Sequence, residues 1–129
     1  MSYEETIKDI EKTFGTVPGF MKETPKDILS QVWPLFRKYQ LGESIIPQKY
    51  REMMMLAAAA AAKCPYCQTY HKEVSKMWGA TDDELKELAA VVALTAFWSN
   101  VLHTQNYEYD TFVKELKQMG EYMTKNKNQ

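Results

Sequence analysis

Ten consecutive apolar residues, Met53–Ala62, constrain this chain more than any other stretch, and the last six are alanine. Pro47 suits the first position of a helix, where its missing N–H costs nothing, so a helix is expected from Pro47 to about Ala62. Its second half is apolar on every side, which suits a central position rather than a surface one. The alanines allow neighbouring backbones to approach closely.

The rest of the sequence also reads as helical, and no hairpin signal competes. Tyr3 to about Phe14 forms a first helix, and Gly15, Pro18 and Gly19 mark a loop. Thr24 is expected as the N-cap and Pro25 as the first residue of the next helix. Ile28, Val32, Leu35, Phe36 and Tyr39 share one face of it at helical spacing, with Pro34 expected to kink or break the pattern. Gly42–Ile46 is a connection. Cys64 and Pro65 open a helix ending near Trp78, with Gly79 as its C-cap. Thr81 to Glu84 has the form of a capping box. The helix it starts continues through the apolar stretch Leu88–Leu102, and an amphipathic helix covers Tyr109 to about Tyr122. The expectation is an all-α protein: one domain over residues 1–129, a compact bundle of about six helices, with a polar tail from about residue 125.

Two central helices that are apolar all round exceed what one subunit of 129 residues readily covers, so self-association is expected. Lys and Arg total 16 against 17 Asp and Glu, so no strong field points to nucleic acid or an anionic membrane. The N-terminal residues lack the apolar core of a signal peptide. The uncharged runs fall short of the roughly 18 residues that span a bilayer. These features predict a soluble cytoplasmic protein without nucleic-acid or membrane partners.

Cys64-Pro65-Tyr66-Cys67 contains both cysteines of the chain. In a reducing compartment such a pair is more often catalytic or metal-binding than a structural staple. At i and i+3 the sulfurs can form a disulfide at the helix entrance. The helix N-terminus favours thiolate over thiol. His71 stands at i+4 from Cys67, placing an imidazole where it can take the thiol proton. The dipole acts most strongly on Cys64, whereas the histidine is nearer Cys67. Cys67 is favoured as the attacking sulfur because proton transfer needs hydrogen-bond reach. Glu52 would orient His71 if the Pro47 and Pro65 helices pack side by side.

Glu52, Cys64, Cys67 and His71 together resemble the E-x11-C-x2-C-x3-H pattern of the alkylhydroperoxidase D-like branch of the carboxymuconolactone decarboxylase superfamily. Gly15-Thr16-Val17-Pro18-Gly19-Phe20, Arg51-Glu52 with the Ala-rich helix, and Gly79-Ala80-Thr81 fit the same resemblance, which covers roughly residues 14 to 105. It implies an all-α subunit assembling as a homotrimer or homohexamer, with peroxidase or disulfide-reductase activity. It also implies that Cys67 attacks, Cys64 resolves, and His71 and Glu52 relay the proton, usually through water. Well-studied members have a histidine where this chain has Tyr66.

The function expected is therefore reduction of hydroperoxides or disulfides by a dithiol, regenerated by an external dithiol or thiol-protein electron donor. No flavin, nicotinamide or haem motif is visible, and no cofactor is expected. A zinc site on Cys64, Cys67 and His71 would need a fourth ligand, from His103 or a carboxylate, and is the weaker reading. Lactone decarboxylation of the superfamily's other branch, which needs no cysteine pair, and a non-catalytic redox-sensing oligomer are the alternatives. Met53, Met54 and Met55 read as core filler, and His103 as structural or interfacial. Trp33, Trp78 and Trp98 read as core or subunit contacts.

Overall fold

The computed structural model describes residues 1–127. It contains α1 (Tyr3–Phe14), α2 (Gly19–Lys22), α3 (Lys26–Phe36), a π-helical segment (Arg37–Leu41), α4 (Gln48–Ala61), α5 (Pro65–Met77), α6 (Asp82–Thr104) and α7 (Tyr109–Lys125). No strand occurs among the described residues. Two compact units divide the chain, the first Met1–Leu85 and the second beginning at Lys86. The polar tail expected from about residue 125 lies partly outside the described residues.

The first unit begins with a capping box at the start of α1. Ser2 Oγ accepts the Glu5 N–H at 3.1 Å, and the Glu5 carboxylate accepts the Ser2 N–H at 2.7 Å. Gly15 ends α1 at φ 76°, a conformation open to glycine without steric cost. Ile10 from α1 packs with Leu29 and Trp33 from α3 as a buried core, against which Phe14 and Phe36 are arranged. Phe14 meets Trp33 edge-on, with ring centroids 5.6 Å apart. Asp9 closes this core at its rim, accepting from Trp33 Nε1 at 2.7 Å and from Arg37.

Three local expectations are corrected here. Pro25 itself is the N-cap of α3, with extended backbone, and Thr24 instead bonds its hydroxyl to the Phe20 carbonyl. The stretch from Gly19 forms the short helix α2 rather than an unstructured loop. Pro34 does not break α3. The helix continues to Phe36, and the next turn widens into the π-helical segment, closed by the Gly42 N–H on the Arg37 carbonyl at 2.7 Å. The apolar face read from spacing was also incomplete. Ile28, Val32, Leu35 and Tyr39 are exposed, whereas Leu29 and Trp33 point into the core. α3 is apolar on both sides, so its periodicity alone did not identify the buried one.

α4 and α5 pack side by side, joined by a tight connection. Lys63 takes a left-handed φ of 56° there, and the Cys64 N–H bonds the Ala59 carbonyl at 3.1 Å. The chain thereby reverses within Ala62–Cys64 and Pro65 opens α5 with its missing N–H unneeded. Gly79 follows α5 at φ 96°, letting the Ala80 N–H return to the Ser75 carbonyl. The Thr81–Glu84 capping box forms as expected, with reciprocal bonds of 3.0 and 3.1 Å. Contrary to the all-round burial expected for its second half, α4 covers one side only within this unit. Ala59 is buried, and Met54 is exposed.

The second unit contains most of α6 and all of α7. α6 runs unbroken for 23 residues and buries none of them among the described side chains. By length and composition it could cross a membrane, a test that core helices of soluble proteins also pass. Val91, Leu94, Phe97 and Trp98 on α6 and Val113, Leu116 and Met119 on α7 are exposed. His103 donates from Nδ1 to the Ser99 carbonyl of its own helix at 2.7 Å.

Candidate active site

The seam between α4 and α5 is where the first unit becomes polar inside. α4 brings Gln48, Arg51 and Glu52 to it at helical spacing, and α5 brings His71 and Ser75. Glu52 is 0% exposed and His71 9%, and His71 Nδ1 meets Glu52 Oε2 at 2.7 Å. A carboxylate fully removed from water costs several kcal/mol (roughly) unless compensated, and hydrogen bonds to both of its oxygens do so. With Nδ1 bonded to the carboxylate, Nε2 is the ring nitrogen left to exchange a proton.

The other oxygen, Glu52 Oε1, accepts from Gln48 Nε2 at 3.2 Å. Gln48 in turn accepts from Arg51 through its own Oε1 and donates to the Gln40 carbonyl. Arg51 also donates to the Tyr39 carbonyl at 2.7 Å and to the Gly42 carbonyl. α4 thus satisfies carbonyls that the end of the π-helical segment leaves without helical partners. The Tyr70 ring lies edge-on to His71, its centroid 5.0 Å away. Burial, and secondarily the Glu52 charge, push the Tyr70 hydroxyl above its usual pKa.

One turn nearer the start of α5, both cysteines are free and their sulfurs lie 2.7 Å apart. Cys64 is the N-cap, and its Sγ accepts the Cys67 N–H at 3.3 Å. Hydrogen bonds from the Cys67 side chain and then from its backbone amide hold the Cys64 thiol below the ordinary range. The same contact, with burial and the nearby Cys64 charge, pushes Cys67 up. Cys67 is the more exposed of the two. Acidity and accessibility therefore fall on different sulfurs. Within this pair, the more accessible thiol is the one that needs a base.

Of the four residues singled out from sequence, Glu52 and His71 are brought into contact, as are Cys64 and Cys67. Among the described residues no hydrogen bond joins His71 to either sulfur. Tyr66 is exposed on the first turn of α5, Lys63 serves the reversal before Cys64, and Trp33 is core while Trp78 and Trp98 are exposed. Among the described residues no three His, Cys, Asp or Glu side chains converge as a metal site. Sequence reasoning missed Gln48. Its position four residues before Glu52 was the available signal, since i and i+4 share a helix face.

Comparison with curated proteins returns no match. The crystal structure of the alkylhydroperoxidase AhpD core from Rhodospirillum rubrum superposes with a TM-score of 0.73 at 22% identity, over 86% of this chain and 85% of that one. The fold is therefore that of the alkylhydroperoxidase core. The sequence pattern of the carboxymuconolactone decarboxylase family matches residues 29–107, a span that includes α4, α5 and all four candidate residues. Fold and sequence pattern agree, and the chain belongs to the carboxymuconolactone decarboxylase family.

Proposed function

We propose that the chain is a thiol-dependent oxidoreductase that reduces hydroperoxides or disulfides through Cys67 and Cys64. The observation that supports it best is the buried Glu52–His71 pair on the same helix hairpin as two adjacent free sulfurs. His71, oriented by Glu52, removes the Cys67 proton, with a water molecule carrying it between sulfur and ring. The Cys67 thiolate attacks a peroxide oxygen, forming S–O as O–O breaks, and the alcohol leaves with a proton. Cys64 then attacks the sulfenic sulfur, S–S forms, and water leaves. With a disulfide substrate, a mixed disulfide replaces the sulfenic acid and a thiol is released. An external dithiol or thiol protein restores both thiols by exchange.

In the same proposal the subunit acts without a cofactor in the cytoplasm as a homotrimer or homohexamer, and the exposed apolar faces of α3, α6 and α7 lie between subunits. The test is turnover with a dithiol donor, comparing a hydroperoxide with a model disulfide. Cys67→Ser should abolish both activities, and Cys64→Ser should accumulate a trapped sulfenic acid or mixed disulfide on Cys67. Full turnover by Cys67→Ser would reject the assignment. The family match also admits lactone decarboxylation, and activity on such a substrate after both thiols are alkylated would favour that reading.

A further inference from the structure

We propose that Gln48 is a positioning residue for the proton relay, fixing the Glu52 carboxylate against His71 by tying it to the end of the π-helical segment. The inference rests on the relay reading above and extends it to a residue that touches neither sulfur nor imidazole. Glu52 has two oxygens and no solvent. Oε2 is committed to His71, so rotation of the carboxylate is governed by what holds Oε1, and that is Gln48.

The direction of the Gln48 amide follows from its neighbours. Its nitrogen faces two acceptors, the Gln40 carbonyl and Glu52 Oε1, while its oxygen faces a donor, Arg51. A flipped amide would oppose oxygen to both acceptors and N–H to the guanidinium. Arg51 is itself anchored by the Tyr39 and Gly42 carbonyls. The carboxylate is therefore braced through backbone of the preceding helical segment. A side chain with one less bond in this chain would leave Glu52 free to turn away from Nδ1, and the imidazole would lose its orientation.

The deciding measurement is the rate at which iodoacetamide alkylates Cys67 in a Cys64→Ser background, per folded molecule by circular dichroism. Glu52→Gln, Gln48→Met and the Gln48→Met/Glu52→Gln double variant are compared with that parent. Gln48→Met should slow alkylation roughly tenfold, the loss expected when a supporting hydrogen bond to a functional side chain is removed. The double variant should be no slower than Glu52→Gln alone, because a residue that acts through Glu52 has nothing left to act on. In the Cys64-containing protein, turnover of Gln48→Met should fall in kcat with KM unchanged.

A Gln48→Met variant at the parent rate, or losses that multiply in the double variant, would overturn the inference while leaving the relay intact. Glu52→Gln at the parent rate would remove the relay reading and this inference with it. Should Gln48→Met fail to fold, Gln48→Asn replaces it. That variant keeps a neutral amide on α4 but, one methylene shorter, withdraws its N–H from Glu52 Oε1, and the same outcomes apply.

Discussion

The first unit contains two helix pairs built from opposite materials. Where α1 meets α3 the interior is Ile10, Leu29 and Trp33 with aromatic edges, and a charged pair, Asp9 with Arg37, sits at the rim. Where α4 meets α5 the buried residues are Arg51, Glu52, His71 and Ser75, accompanied by Ala59. Apolar burial stabilises at about 25 cal/mol per Å². Buried ionisable groups contribute little net stability once their desolvation is counted. The first pair therefore holds the unit together, and the second uses that stability to keep a carboxylate and an imidazole out of water.

Substitution should separate the two roles. Trp33→Ala is expected to destabilise the fold by about 3–5 kcal/mol, seen as a lowered denaturant midpoint, with turnover per folded molecule little changed. Glu52→Gln is expected to do the reverse, lowering turnover ~100-fold while moving the midpoint far less. Similar midpoint losses in both would mean that the two seams do not differ in kind. Asp9→Ala leaves Trp33 Nε1 without its partner at the edge of the core and should cost about 1–3 kcal/mol.

Acid separates them further. Bonds from Arg37 and then Trp33 hold the Asp9 carboxyl below its ordinary range. The folded protein thus binds that proton less readily than the unfolded chain. This contribution is complete above about pH 4 and fades as pH falls through the lower folded-state value. Thermal midpoints recorded across that window should drop less steeply in Asp9→Asn than in the parent. At the cysteines, Cys67→Ala removes the side-chain donor that is the largest cause of Cys64 acidity, so the alkylation midpoint of Cys64 should move up in pH. The smallest effect belongs to Lys63→Gly, where relief of a left-handed backbone should change stability by under about 1 kcal/mol.

Much of this arrangement was legible in residue order. Pro65 and Gly79 placed the ends of α5, Pro47 proved to be the N-cap of α4 rather than its first residue, and the Thr81–Glu84 box placed the start of α6. The spacing from Glu52 to His71 anticipated their contact once the two helices were side by side. α3 was harder, because its apolar residues occupy two faces and periodicity does not say which meets α1. Pro34 was read as a kink or a break, and α3 runs through it to Phe36 without breaking. Gln48 and the π-helical segment escaped because their significance lies in which carbonyls converge on them, a property of backbone path rather than of residue type. Partition of acidity between Cys64 and Cys67 depended first on the contact between the two side chains and then on which sulfur receives the amide, which spacing alone left open.

The cap on α5 has an energetic corollary. The Cys64 sulfur accepts the Cys67 amide most strongly as a thiolate, and a sulfur tied in an S–S bond is a neutral, weaker acceptor. Interactions that favour the anion are therefore weakened on oxidation. In the proposed dithiol cycle, such a cap would shift the couple toward its reduced form and raise its reduction potential, so the first turn of one helix would tune how readily the pair gives up its disulfide.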